Sequence, residues 1–506
     1  MYIKNPHLKK ILEKYRQIVT LGQIDAVLGW DLNVNLPPKS VEGRARQSAA
    51  MTELIAKQWL DPELKKLLEN VREDAAKLLP VEKAILRNLE REGKLYFKAP
   101  TELVVEKSKT VAQAYVAWQK ARQENNISDF FPSLKKIVEL DRLIAEHLGF
   151  SENPYDALLD LFEPELKVSD YQKIFTPLQK ELKAMIKKIT ASRGYRGKTD
   201  LGDGELNFPA DEQRQLALYL LKKMGFDWES GRMDISAHPF TTQLDRYDIR
   251  ITNRYKPEDF IGSLMVAMHE GGHALYEQGV NPDFDLTPLG GGVSLSIHES
   301  QSRFWENQVG HDFEFIEFLT PLLQAFYQEQ LGRTGSEFLG RLLNRVRPGP
   351  LRIEADEVTY NLHIILRFEL ENALVNKQLE VEDLPAAWAK KMQHYLGIIP
   401  ASDREGVLQD VHWAYGSFGY FPSYTLGNLY AAQIAAKMKQ ELPLDNLLKH
   451  GELGTILSWL RDNIHQYGSL YWPREIIKRV SGEDLNPDYF LSYLKRKYGE
   501  VYNVKL

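Results

Sequence analysis

Within 506 residues, His269-Glu270-Gly271-Gly272-His273 places two histidines four residues apart with a glutamate beside the first. On a helix this spacing projects both imidazoles from one face about one turn apart, close enough to grip a single zinc ion at about 2.0–2.1 Å each. Glu270 lies about 100° round from His269, where its carboxylate can reach past the metal to a bound water. The chemistry of such a set is hydrolysis, with a metal-activated water and a carboxylate base. The bland alternative is a partly buried helix whose histidines bond to neighbours. Two adjacent glycines inside a helix cost about 1 kcal/mol each relative to alanine, which argues for a close approach of another segment at that point. Eight of the 12 histidines fall between His238 and His412, so the motif lies in a histidine-rich stretch.

A catalytic zinc site requires three protein ligands and one open position. A third histidine six residues beyond the motif is excluded, because Gly279 stands there and Tyr276 replaces the glycine that such a pattern needs. Glu277 continues the helical face but lies about 12 Å along the axis from His269, too far to join a site centred between the two histidines. The next acid in a strong context is Glu299 in LSIHESQSRFWENQ, although Ser296-x-x-Glu299 also reads as a capping box for the following helix.

The elements that must carry these residues are mostly helices. From Lys9 to about Glu205 apolar residues recur at spacings of three and four, as in Ile11, Leu12, Tyr15, Ile18 and Val19. Prolines and glycines punctuate them without forming a linker, and no internal repeat is present. Between about Met233 and Tyr255 the pattern changes to alternation, with Ile235, Ile249 and Ile251 separated by polar residues, which predicts a small antiparallel sheet. After Pro257 helices resume to the end. The expectation is a mainly α architecture of about twenty helices, a single domain over residues 1–506, with one small sheet lining a substrate groove.

Composition narrows the function. With Lys+Arg 64, Asp+Glu 70 and a net charge of −6, the chain lacks the concentrated basic face that nucleic acid requires. The absence of cysteine removes disulfides, thiolate metal sites and cysteine nucleophiles, leaving histidine and carboxylate as metal ligands and fitting a reducing cytoplasm. No secretory leader and no membrane-spanning apolar run is evident, so a soluble cytoplasmic protein is expected. The triple glycine Gly290 to Gly292 is not followed by Lys-Ser/Thr, so it is no phosphate loop.

LSIHESQSRFWEN beside HEGGH, with DIRIT at Asp248–Thr252, HPF at His238–Phe240, IEADEVTYNLHIILRFE from Ile353, GVLQDVHW at Gly406–Trp413 and the N-terminal GWDLNVNLPPKSVEGRARQ, resembles the thermostable metallocarboxypeptidases of peptidase family M32 nearly end to end. The resemblance implies a helical, saddle-like fold with a deep groove, usually a homodimer, that removes single amino acids from peptide C-termini. It implies zinc, replaceable by cobalt, on His269, His273 and Glu299. It also places DIRIT and the segment from Arg352 at the substrate groove, with substrate contacts from His238, Asp248, Arg250, Thr252, Arg352, Asp356, Gln409 and Asp410.

In the mechanism these residues predict, Glu270 takes a proton from the activated water and returns it to the leaving amine. Oxyanion donors are sought in GVLQDVHWAYGSFGYFPSYTLGN, where the resemblance favours His412 and a tyrosine, Tyr424 in preference to Tyr420. A bidentate arginine is the natural partner of a terminal carboxylate, and Arg250 and Arg352 are the candidates. In DIRIT a strand turns Asp248, Arg250 and Thr252 to one face. After Arg352, the residues Asp356, Tyr360, His363 and Arg367 form a stripe at helical spacings, which a solvated helix face also produces. For support behind the imidazoles, Arg303 stands where thermolysin-like enzymes carry an acid, and Glu306 on the same face can substitute. Competing readings are a zinc oligopeptidase or dipeptidase, and a helical peptide-binding protein with a structural zinc. An intact Glu270 opposes the last, since a structural site needs no base.

Overall fold

Proline and asparagine open the chain's first long helix, Pro6–Val34, where the Asn5 side chain accepts from the backbone N–H groups of His7 and Leu8; of the predicted stripe the helix buries Ile11, Leu12, Tyr15 and Ile18, while Val19 is half-buried. In the computed structural model, which describes residues 1–196 and 206–506, 22 α-helices and three strands are present among the described residues. The helical periodicity expected up to about Glu205 is realised as far as Val168–Ala191, and Glu205 itself lies outside the described residues. None of the described helices is long and apolar enough to cross a membrane.

The chain divides into two compact units. The first comprises Met1–Gly93, Thr199–Leu343 and Tyr430–Leu485; the second comprises Lys94–Lys198, Asn344–Leu429 and Asn486–Leu506.

The sheet belongs to the first unit: β1 (Gly231–Ile235), β2 (Thr241–Asp245) and β3 (Asp248–Asn253), in the order β1-β3-β2. It is mixed, not antiparallel as expected, because β3 pairs antiparallel with β2 and parallel with β1. Only two residues join β2 to β3, which forces a hairpin. The Ser236–Phe240 link instead carries the chain across the position that β3 fills, so β1 flanks β3 from the far side. Ile249 and Ile251 are fully buried as the alternation requires, whereas Ile235 is 57% exposed.

On this sheet packs the helix Phe260–Gly279, which carries the His-Glu-x-x-His motif. Asp259 caps it by accepting from Gly262 N at 2.8 Å. Its buried residues run round nearly the whole circumference, so this is a core helix, with His269 and His273 left half-buried. The adjacent glycines have the expected reason. A Cβ on Gly272 would lie 2.6 Å from the Gln301 carbonyl oxygen and 2.7 Å from Ser302 Cα, so glycine lets the helix Leu295–Arg303 come into backbone contact. That second helix is capped by Ser294, whose hydroxyl accepts from Ile297 N at 3.2 Å. The Ser296 capping box is therefore not formed; Ser296 sits one residue inside the helix, and Glu299 is left for another task. Beyond Arg303 the helix widens into a π-helical segment, Phe304–Gly310, a form that concentrates at functional sites.

Candidate metal centre and associated residues

The motif helix and the helix Leu295–Arg303 bring His269, His273 and Glu299 together with one ligand atom from each within 4.8 Å of the others. Glu299 Oε2 lies 3.6 Å from His269 Nε2 and 3.5 Å from His273 Nε2. Tetrahedral ligands at about 2.0–2.1 Å from a zinc ion stand about 3.3 Å apart, so the donor set fits such an ion in both chemistry and spacing.

The opposite edge of each ring is occupied. His269 Nδ1 meets Glu306 Oε2 at 2.8 Å, the support expected from Glu306. Arg303 ties the two acids together, donating through Nε to Glu299 Oε1 at 2.7 Å and through Nη1 to Glu306 Oε2 at 3.1 Å. With Oε1 engaged, Glu299 turns only Oε2 to the imidazoles. His273 Nδ1 lies 2.5 Å from His298 Nδ1, and His298 Nε2 lies 2.8 Å from Glu277 Oε1. Sequence reasoning set Glu277 aside as a ligand and gave neither it nor His298 a supporting role. The available signals were that Glu277 stands four residues after His273 on its face, and that His298 immediately precedes Glu299.

Electrostatics follow from burial and these pairs. Burial alone disfavours charge on His269, but the neighbouring Glu299 and Glu306 carboxylates raise it to about 9. Burial, joined by the neighbouring His298 and His269, outweighs the Glu299 carboxylate and lowers His273 to about 3. Burial raises Glu299 and Glu306, yet the Arg303 charge and the histidines outweigh it, holding Glu299 far below the usual range and Glu306 at about 2. Glu270 departs upward, through burial and the nearby Glu299 and Glu306, against the pull of His269 and Thr241. The Thr241 hydroxyl on β2 lies 2.6 Å from Glu270 Oε2 and 3.0 Å from the Glu270 carbonyl oxygen, fixing the carboxylate between sheet and helix.

The DIRIT segment only partly meets expectation. Asp248 and Arg250 are half-buried on one face of β3, joined by two bonds of 2.7 Å, with the guanidinium 5.4 Å above the Trp30 ring. Thr252 is fully buried instead of facing a groove. Its hydroxyl lies 2.7 Å from Ser236 Oγ and accepts from Phe240 N at 2.9 Å, so it staples the crossing link between β1 and β2. The same link holds His238, whose carbonyl accepts from Ser236 Oγ at 2.6 Å.

In the second unit, Arg352, Arg367 and Asp410 form one buried cluster. Arg352 Nε and Nη2 donate to Asp410 Oδ1 at 2.9 and 2.8 Å, and Arg367 Nε and Nη2 donate to Oδ2 at 2.7 and 2.5 Å. Arg352 Nη1 also donates to Tyr360 Oη at 3.1 Å. Gln409 accepts from Arg352 N at 2.8 Å and donates to the Pro350 and Glu405 carbonyls, so it shapes the segment bearing Arg352. Asp356 precedes the helix Tyr360–Val375 and does not share its face; its carboxylate accepts from the backbone of Val358, Thr359 and Arg347. Asp356 therefore leaves the predicted stripe as a cap, whereas Tyr360, His363 and Arg367 keep it on the helix, and His363 and Arg367 are fully buried, against the solvated-face alternative.

His412 Nε2 lies 3.2 Å from Tyr424 Oη, while the Tyr420 ring packs edge-on against His412 at 5.2 Å. Burial lowers His412 to about 3, helped by the two arginines. Arg352 stands 5.0 Å over the Tyr424 ring, so the arginine cluster and the His412–Tyr424 pair are contiguous. A buried carboxyl on the helix Tyr360–Val375, Glu371, anchors the segment after His412 by accepting from Trp413 Nε1 at 2.7 Å, from Gly419 N at 2.9 Å and from Tyr155 Oη.

Burial raises Glu371 to about 7 despite these donors. Its unfolded value is about 4.3, so the folded state holds the proton more tightly. The stabilisation is fully present below about pH 4 and is lost as pH rises through about 7, amounting to something on the order of 3 kcal/mol. Urea unfolding of wild type and Glu371→Gln at pH 5 and pH 8 measures this. The expected result is a smaller loss between the two pH values in the variant; an equal loss assigns the titration elsewhere.

Residues 10–498 match the sequence model of the family described as Carboxypeptidase Taq (M32) metallopeptidase. The chain is 40% identical to thermostable carboxypeptidase 1 of Pyrococcus furiosus over 497 residues, 98% of this chain and 99% of that protein. It is 37% identical to carboxypeptidase 1 of Bacillus subtilis over 495 residues, 98% of each. Among solved structures, Pyrococcus furiosus carboxypeptidase matches with a TM-score of 0.93 and 40% identity, over 98% of this chain and 100% of the other.

Proposed function

Because this chain belongs to the M32 family of metallocarboxypeptidases, we propose that it releases single amino acids from peptide C-termini with zinc held by His269, His273 and Glu299 and with Glu270 carrying the proton. The observation that carries this reading is the convergence of two Nε2 atoms and one carboxylate oxygen beside a buried carboxyl on the same helix. Cobalt suits the same nitrogen and oxygen donors and replaces zinc in this reading. Residues 1–506 are taken as one catalytic domain, the family match running from 10 to 498. Cytoplasmic location is supported by a chain without cysteine. Assembly as a homodimer and thermostability rest on the family resemblance and on the names of its relatives.

A divalent metal on these ligands supplies Lewis acidity, activating water and polarising the scissile carbonyl. Glu270, held by Thr241, removes a proton from the attacking water and delivers it to the leaving amine nitrogen. His412 and Tyr424 are assigned as hydrogen-bond donors to the oxyanion, and a neutral His412 suits that role because it retains one N–H. Arg352 and Arg250 remain the candidates for the terminal carboxylate, with Asp410 and Asp248 respectively holding each guanidinium in place. His238, Thr252, Asp356 and Gln409 act, on this reading, by shaping the segments that bear them.

The test is a time course with an unmodified peptide of about ten residues and zinc-loaded enzyme. Stepwise loss of single C-terminal residues is the expected result, and internal fragments or paired losses overturn it. The ligand assignment also expects Glu306→Gln to weaken zinc binding about 10–100-fold by removing the negative charge behind His269 Nδ1, read by competition with a chromophoric chelator.

A further inference from the structure

The two histidines of the motif are supported differently. Behind His269 stands a carboxylate in direct contact, Glu306; behind His273 stands a second imidazole, and the carboxylate comes only after it. The hydrogen-bond rules assign every proton along this second line. A histidine that offers Nε2 to a metal carries its proton on Nδ1, so His273 donates to His298 Nδ1. His298 Nδ1 must then be an acceptor, which puts the ring proton on Nε2, where Glu277 Oε1 accepts it at 2.8 Å. All bonds point one way, from the metal-binding ring to a buried carboxylate.

The surroundings hold His298 in that orientation. A Cβ on Gly292 would come within 2.7 Å of His298 Cδ2 and 2.8 Å of Tyr276 Cε1, so glycine here makes room for the ring. The Tyr276 ring packs against it at 5.2 Å. Glu277 is 6% exposed, and its Oε1 also accepts from Gly292 N at 3.1 Å, so the carboxylate and the glycine that admits the ring are bound to each other. None of these residues contributes a ligand atom to the three-residue set.

We propose that Glu277 and His298 act as one positioning unit for His273, fixing its tautomer and ring plane and transmitting negative charge to it across an intervening imidazole. The proposal rests on the reading of His269, His273 and Glu299 as metal ligands. Gly292 belongs to the device because its missing Cβ leaves the space His298 occupies.

Zinc affinity of the full-length protein, measured by chelator competition, tests it independently of catalysis, with melting of the metal-free protein as a control for folding. His298→Phe and Glu277→Gln are each expected to weaken zinc about 10–100-fold, the range for loss of an outer-shell partner. His298→Gln supplies one acceptor and one donor, as the ring does, and is expected to bind zinc within about threefold of wild type. The pair Glu277→Gln with His298→Phe is expected to be no weaker than the worse single variant, since both break one line. Gly292→Ala is expected to weaken zinc without touching any ligand. Wild-type affinity in His298→Phe, or a His298→Gln variant as weak as His298→Phe, overturns the proposal by leaving His298 a packing role only. Should a phenylalanine variant fail to fold, Glu277→Gln and His298→Gln carry the test, and wild-type zinc affinity in Glu277→Gln overturns it. Zinc uptake that survives His269→Ala, His273→Ala and Glu299→Ala overturns the ligand reading and this proposal with it. Uptake abolished by those three but unchanged by Glu277→Gln and His298→Phe sinks the positioning unit alone.

Discussion

Glu270→Gln is expected to lower kcat for release of a C-terminal residue by about 10²–10⁴-fold, with metal content unchanged. The substitution keeps the volume and the backbone of a core helix and removes only the ability to take and return a proton. Because Glu270 contributes no atom to the three-residue donor set, zinc stoichiometry should remain at one per chain. KM should move little, since the lost interaction is made with a proton in flight and not with the resting peptide. Steady-state kinetics on a short peptide, with metal analysis of the same sample, measure both. A variant within tenfold of wild type would show that the base lies elsewhere. Thr241→Val gives a graded companion: removing the hydroxyl 2.6 Å from Glu270 Oε2 unfixes the carboxylate without removing it, so a smaller loss is expected.

The largest stability effect is expected at Asp410. This one carboxylate neutralises two guanidiniums, and burial would otherwise drive charge out of the cluster. Asp410→Asn leaves Arg352 and Arg367 with no anionic partner in a dry site, and breaking a buried pair in this way costs about 3–5 kcal/mol. Urea unfolding measures it. Replacing all three residues together, with Arg352→Met, Arg367→Met and Asp410→Leu, separates stability from function. Apolar substitution of a whole buried ionic cluster is often neutral for folding. The triple variant should therefore recover most of the stability lost by Asp410→Asn while losing affinity for peptides with a free carboxylate. A triple variant that is stable and fully active would remove Arg352 from substrate recognition and leave Arg250.

Much of the site was legible because its first part is local. Two histidines at a spacing of four share a helix face wherever that helix packs, and the paired glycines announced a neighbour's backbone before the neighbour was known. The segment bearing Glu299 was identified by its motif, and Glu306 by its place on the same face. Other features were hidden because they depend on partners distant in the chain. Thr252 obeyed strand alternation yet was buried, since the link Ser236–Phe240 crosses over β3 and takes its hydroxyl. Asp356 fitted a helical stripe by number, but the helix begins at Tyr360 and the carboxylate caps the turn before it. The sheet's mixed pairing followed from the path of a five-residue link that has no periodic signature.

By itself, the amino-acid order determined which residues could do chemistry: the periodicity that makes the helices, the two imidazoles on one face, the base beside them, and an acid-bearing motif for a third ligand. Only the tertiary structure decided what stands behind each imidazole. His269 received a carboxylate directly, through a π-helical turn that presents Glu306, and His273 received one through His298. The physical reason is range. Periodicity is fixed by bonds within a few residues, whereas a hydrogen-bond partner 25 or 37 residues away is set by how closely two helices pack, here at the Cβ-free surface of Gly272.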